Sequence, residues 1–259
     1  MAISLNELLA MPADAEAYLS FPLIPRGGFI VIGAPSKSMK SFLALNIAYD
    51  LAEGRPLFGL KKADGAFVWP VVRPLSVLYI EQEIGQQLLK KRMVRINAAR
   101  NGQLAGYNLH FHCKDRTARL DTNAGIGRIL REIEATKADI IVLDPLRRMH
   151  LRKEDSSEEV ESLLQPIYAM QEKVNLTALV VHHTGKRSEF RDPRDPEALR
   201  GSSHLYAVGD TYIMITRPVP TKKTLIQLDF SLRSHEDPPP LRLQFDENTY
   251  LFTPVGGNE

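Results

Sequence analysis

Hydrophobic and polar residues follow two recurring rhythms along this chain. Short, mostly apolar runs stand at Phe29–Ile32 before Gly33, at Val77–Ile80, at Ile140–Leu143 before Asp144, and at Leu176–His182. Such runs suit strands buried on both faces. Between them, apolar residues recur three and four apart. Ser41–Glu53 carries Leu43, Ala44, Ile47, Ala48 and Leu51 at this spacing and meets Gly54, a helix with its stop signal. Gln86–Ala99 reads as a basic amphipathic helix, and Gly125–Thr136 and Ser157–Val174 read as further helices, the last opened by the capping pattern Ser156-x-x-Glu159. Leu109–His112 adds a further strand. Strands alternating with helices predict an α/β fold, a mainly parallel sheet flanked by helices. The last fifth of the chain changes rhythm. Asp210–Thr216, Lys223–Leu232, Leu241–Phe245 and Thr249–Phe252 follow one another without helices, as antiparallel strands extending one edge of the sheet.

Residues 1–20 form a short amphipathic segment with Leu5, Leu8, Leu9, Tyr18 and Leu19, broken by Pro12. It packs either on its own domain or on a neighbouring subunit, and the sequence leaves both open. The expected division is an N-terminal arm, residues 1–24, and one domain, residues 25–259. Gly54–Pro74 and Lys186–Leu199 are the longest irregular stretches, and the second holds Arg187, Arg191 and Arg194 among Asp and Pro. Long loops inside a compact domain are usually functional or disordered.

Composition narrows the picture modestly. With 259 residues, 44% hydrophobic and 25% charged, the chain has the make-up of a soluble globular protein with a sizeable core. A net charge of +2 neither demands nor excludes a nucleic-acid partner. The single cysteine, Cys113, forbids an intramolecular disulfide and fits a reducing cytoplasm. The acidic start lacks the form of a signal peptide. No run of about 18 apolar residues occurs, so no membrane span is expected.

The candidate chemistry begins after the first buried strand. Gly33, Ala34, Pro35, Ser36, Lys37, Ser38, Met39, Lys40 and Ser41 separate that strand from a helix. In this setting backbone N–H groups and the helix dipole receive a phosphate. Lys40 reaches the β- and γ-phosphates, and the Ser41 hydroxyl binds Mg²⁺. The motif departs from G-x-x-x-x-G-K-[ST]: Ala34 stands at its first position, and Met39 replaces the glycine before the lysine. A side chain there disfavours positive φ.

Asp144 closes a buried strand, where a carboxylate sits beside the phosphate loop if the two strands are neighbours, and holds Mg²⁺ with Ser41. A turn cap before Pro145 is the plainer role. Glu81 and Glu83 follow Val77–Ile80, and either can orient and deprotonate an attacking water. His182 and His183 end a strand from which one ring can sense the γ-phosphate. A metal site with His110, His112 and Cys113 is the rival idea, although H-x-H-C is not a standard zinc spacing.

Taken in order, the phosphate loop, V-L-Y-I-E-Q-E, I-I-V-L-D-P-L, V-V-H-H-T-G-K and R-G-S-S resemble the RecA-like ATPases of the RepA-type hexameric replicative helicases, with a more distant likeness to the DnaB motor. The resemblance runs from about Pro25 to Phe252. It implies a RecA-like fold, ATP and Mg²⁺, and a homo-oligomeric, hexameric ring acting on single-stranded DNA. It places the catalytic glutamate on Glu83, the phosphate sensor on His183 and DNA contacts on Arg200, Gly201, Ser202 and Ser203. The arginine finger falls on Arg233, with Arg200 as second choice. No primase-binding domain precedes the motor, so a primase or loader is expected to be a separate protein. The implied function is replication of a plasmid, phage or mobile element. Arg147, Arg148, Arg152 and Lys153 join the three loop arginines as DNA-facing charges. A regulatory or recombination-type protein that assembles on ATP without unwinding is the competing reading, and a small-molecule kinase is the third.

Overall fold

The computed structural model describes residues 2–12, 17–102, 105–151, 157–184, 192, 194–199 and 203–255. The chain opens with helix α1 (Leu5–Ala10), closed at its start by a reciprocal Ser4–Glu7 capping box. A small antiparallel pair follows, β1 (Tyr18–Ser20) and β2 (Ile24–Pro25). β3 (Phe29–Ala34) then leads through the phosphate-loop sequence into α2 (Lys40–Glu53), which Gly54 ends in the left-handed conformation. β4 (Val77–Glu81), α3 (Gln86–Arg100), α4 (Ala105–Asn108), β5 (Leu109–Cys113), α5 (Asn123–Thr136), β6 (Ile140–Asp144), α6 (Ser157–Val174) and β7 (Thr177–His183) continue the alternation. Ser156, expected to cap α6, falls outside the described residues. α7 (Ser203–Val208), β8 (Thr211–Thr216), β9 (Leu225–Leu232), β10 (Leu241–Phe245) and β11 (Phe252–Pro254) complete the chain.

Nine strands form one sheet in the order β11-β10-β9-β8-β3-β7-β6-β4-β5. The six from β8 to β5 are parallel, and β9, β10 and β11 add antiparallel at the β8 edge. Parallel strands need both faces covered, and both are. α2, α3 and the β1–β2 pair bury one face, with Leu43, Ile47 and Leu51 against Ile30, Ile32 and Val142. α5, α6 and α7 bury the other, with Ile129, Leu163 and Leu205 against Val31, Leu143 and Val180. All C-terminal ends of the parallel strands therefore open on one rim, where ligands sit in open α/β sheets.

Several expectations shift. The strand predicted over Thr249–Phe252 starts at Phe252, because residues 246–251 close a tight turn. The Asp246 carboxylate accepts from Asn248 N and Thr249 Oγ1, and Tyr250 takes φ 60°. The segment over residues 1–20 divides. Leu5, Leu8 and Leu9 of α1 are exposed, whereas Leu19, Leu23 and Ile24 are buried in the main core. β1, β2, α4 and α7 were not visible in the pattern, being too short to show a period. Among the described residues no helix is long and apolar enough to cross a membrane.

Candidate functional site

The phosphate-loop sequence joins the rim end of β3 to the start of α2. Met39 takes φ 66° and Lys37 φ 62°, so the backbone keeps a glycine-like conformation with side chains in place. That costs about 1–2 kcal/mol at a non-glycine residue. Met39 is half-buried and packs against the core, which offsets part of the cost. The absent side chain of Gly33 serves a different purpose. A Cβ there would come within 2.6 Å of Met214 Sδ and 2.7 Å of Leu199 Cδ2, so the glycine lets β8 and β3 pack closely.

α2 begins with no side-chain cap. Its first N–H groups are thus available to an anion, with the helix dipole behind them. Lys40 is buried and folds over the loop, its Nζ donating to Ala34 O at 2.9 Å and Pro35 O at 2.8 Å. Burial lowers its pKa to about 8, while Asp144 and Glu83 pull it back up. An anion in the cradle restores the balance that burial upsets.

Ser41 Oγ donates to Asp144 Oδ1 at 3.1 Å. The two groups meet although their strands are not the neighbours expected from the sequence: β7 lies between β3 and β6, and Asp144 spans that gap from the rim. Its second oxygen accepts from Tyr79 Oη at 2.5 Å, so its partners are in the site and not in a turn cap before Pro145. Burial pushes the Asp144 carboxyl up to about 6 against the Tyr79 and Ser41 hydrogen bonds, with Glu81 and Glu83 adding to the rise. A hydroxyl and a carboxylate are hard oxygen donors of the kind Mg²⁺ takes, so the residues fit that ion.

The two glutamates separate. Glu81 is buried, and its carboxylate accepts from Glu83 N, Ile84 N and Gly85 N at 2.6, 2.6 and 2.7 Å. It builds the turn into α3. Gln82 Nε2 ties the same turn to Asp115 O. Glu83 is left exposed, close enough for its charge to act on both Lys40 and Asp144.

His183 pairs with Ala34 across β7 and β3, and its Nδ1 lies 3.2 Å from Lys40 Nζ and 3.4 Å from Ser36 Oγ. His182 faces the interior and is buried. His112, which the rival metal reading needed, meets Asp115 and Glu132.

Arg233 lies elsewhere. Thr211 pairs with both Ile30 and Leu232, so the end of β9 sits at the start of β3, away from the rim. Four or five residues of strand, roughly 15 Å, separate it from its own phosphate loop. Its guanidinium donates to Ala207 O and lies 3.8 Å from Asp210 Oδ1. Arg200, Gly201 and Ser202 fall outside the described residues, as do Arg152, Lys153, Arg187 and Arg191, whereas Ser203 opens α7. Arg147 and Arg148 are exposed just beyond Asp144, and Arg194 is paired with Asp192.

Two residues escaped the sequence reading. Tyr79 fixes Asp144, and its signal was present: a tyrosine inside a buried apolar strand needs a partner for its hydroxyl. Arg217, just after β8, donates to Lys37 O at 2.7 Å on the phosphate loop, and nothing in the pattern marked it.

A family model described as AAA domain matches residues 2–189. A probable plasmid replicative DNA helicase of Chlamydia trachomatis is 21% identical over 202 residues, covering 75% of this chain and 44% of the relative. The chain thus spans less than half the length of the curated relatives it matches. Solved structures that share the fold include three from different proteins. One, described as an ATPase domain, superposes with TM-score 0.61 at 16% identity, over 89% of this chain and 86% of that one. A DnaB-like replicative helicase, solved with its interactions with primase, gives 0.60 at 16% over 88% and 57%. The RadB recombinase gives 0.60 at 15% over 89% and 92%. The fold is RecA-like.

Proposed function

Because the chain belongs to the AAA-domain family, we propose that it is an ATP-hydrolysing ring motor that translocates on and unwinds DNA. One observation carries the reading: Lys40, the Ser41–Asp144 pair and the exposed Glu83 converge on the uncapped start of α2. Within the division into an arm, residues 1–24, and a motor, residues 25–259, Leu19, Leu23 and Ile24 pack on the motor's own core, and α1 is the part that meets a neighbouring subunit.

In this reading Gly33–Ser41 cradles the phosphates, and Lys40 leaves the Ala34 and Pro35 carbonyls to hold their charge. Ser41 and Asp144 would hold Mg²⁺, which when bound would neutralise phosphate charge. Glu83 orients a water and takes its proton. Glu81 holds the turn that aims Glu83. His183, between Lys40 and Ser36, registers whether the γ-phosphate is present. Arg233 is too far from its own loop to act there, so it serves a neighbour's site, where an arginine supplied in trans contributes about 10³–10⁵ in rate. DNA is held by its backbone, through Arg147, Arg148 and the segment Arg200–Ser203. A separate primase or loader completes the assembly.

The test is strand displacement on forked DNA with ATP, run beside size measurement with and without nucleotide. Unwinding by a nucleotide-dependent ring is the expected result. Assembly with ATP but no unwinding would instead support the recombination-type reading, and turnover that ignores single-stranded DNA would remove DNA from both.

A further inference from the structure

Arg233 is held by a group of residues that takes no part in its own subunit's nucleotide site. Its guanidinium donates to Ala207 O, in the last turn of α7, and its backbone N–H donates to Asp210 O. Asp210 is anchored in turn, its Oδ2 accepting from Phe29 N at 2.8 Å. The α7 turn has no glycine-type left-handed cap. A side chain closes it instead. The Tyr212 hydroxyl donates toward Leu205 O and Tyr206 O and accepts from Gly209 N at 2.7 Å. The ring is buried and lies so near Gly209 that a Cβ there would come within 2.3 Å of Cζ. A tyrosine hydroxyl thus satisfies, inside the protein, the orphan carbonyls that a helix end leaves, and it sets where the neighbouring Ala207 carbonyl stands.

We propose that Tyr212 is a positioning residue for Arg233: its hydroxyl fixes the C-terminal turn of α7, and that turn presents the guanidinium to the adjoining subunit. The assignment rests on the reading of Arg233 as a group acting in trans. Tyr212 pairs with Val31 in β3, and the partners of its hydroxyl, Leu205, Tyr206 and Gly209, all lie outside the phosphate loop. Its influence on hydrolysis is therefore felt at the neighbour's site and not at its own. Misplacing a catalytic group by about 1 Å can cost about a hundredfold in rate.

The test uses the full chain and steady-state ATP hydrolysis. Tyr212→Phe, Gly209→Ala and Arg233→Ala are each measured alone and mixed with Glu83→Gln, with mixed assembly confirmed by tagged co-purification. Tyr212→Phe is expected to lower kcat about ten- to a hundredfold while leaving KM for ATP within about twofold. Mixing with Glu83→Gln, which brings an intact arginine, should raise activity above the sum of the separate proteins. Gly209→Ala, which pushes the same ring aside, should behave alike, and it decides the matter if Tyr212→Phe does not fold. A kcat within about twofold of wild type overturns the proposal. So does a fall that mixing leaves unrelieved while Arg233→Ala is relieved, since that puts the defect in the variant's own site. If Arg233→Ala is not relieved either, the trans reading of Arg233 fails and takes the positioning role with it.

Discussion

At the scale of single residues, the two carboxylates of E-Q-E illustrate how neighbours in sequence acquire different work. Glu83→Gln should retain ATP binding and lose hydrolysis by about a hundredfold or more, the ordinary scale of general-base loss. Glu81→Gln should act through stability. Its amide keeps one acceptor oxygen but turns an NH₂ toward at least one of the three N–H donors that now meet the two carboxylate oxygens, at a cost of about 1–3 kcal/mol. Binding and turnover beside a thermal melt separate the two, and the reverse pattern would reassign the base. Asp144 gives a second prediction. Its carboxyl titrates near 6 in the folded chain against an ordinary 3.8. The ligand-free fold therefore binds the proton more tightly than the unfolded chain, and stability falls as pH rises from about 4 to about 6. Two units of pKa correspond to at most about 3 kcal/mol. Asp144→Asn should melt higher than wild type at pH 7.5 without nucleotide, the gap should close toward pH 4.5, and Mg²⁺-dependent turnover should vanish. A gap that ignores pH would show that the ionised carboxylate costs the fold nothing.

At the scale of elements, α1 is the part whose sequence pattern and environment disagree. Its leucines repeat as a core face would, yet Leu5 is 68% and Leu9 73% exposed. A capping box can start such a helix, but six residues are too few to hold it in water without packing. On the proposed reading the apolar face is covered by a neighbouring subunit. Replacing Leu5 and Leu9 together by Asp should leave the melting of the single chain nearly unchanged, within about 0.5 kcal/mol for exposed sites. It should shift the ATP-dependent assembly to smaller species in light scattering. Full-sized assemblies from that variant would take α1 out of the interface. The Asp144–Ser41 contact makes a related point from the opposite side. Strand order put β7 between β6 and β3, and only the shared rim brought the two residues together.

At the scale of the whole molecule, a net charge of +2 gives no hint of a polyanionic partner, so any DNA affinity must come from where charges are placed. Arg147 and Arg148 follow Asp144 on the rim and are exposed. Arg148→Ala should weaken single-stranded DNA binding alike for all sequences and reduce the salt slope by about 1. Titrations at several salt concentrations would check this, and a loss confined to particular bases would contradict backbone recognition. The remoteness of Arg233 from its own loop is also a whole-molecule property. It follows from β9 running antiparallel to β8, which returns the chain to the far end of the sheet.

The sequence by itself determined the alternation of buried runs and amphipathic stretches, and hence the parallel sheet and its antiparallel edge. Those periods are local and are imposed by burial on one or both faces of each element. It also marked Lys40 and Ser41 as chemical candidates, because a loop between strand and helix is defined by adjacent residues, and Asp144, because a carboxylate that ends a buried apolar run is visible locally. Tertiary structure decided the rest. Glu81 and Glu83 are two residues apart and chemically alike, so only the turn that consumes Glu81 could distinguish their surroundings. Tyr79, Arg217 and Tyr212 gained partners 65, 180 and as few as three residues away. The two long-range pairings exist because strands distant in sequence share one rim, and such contacts leave no period in the chain from which to read them.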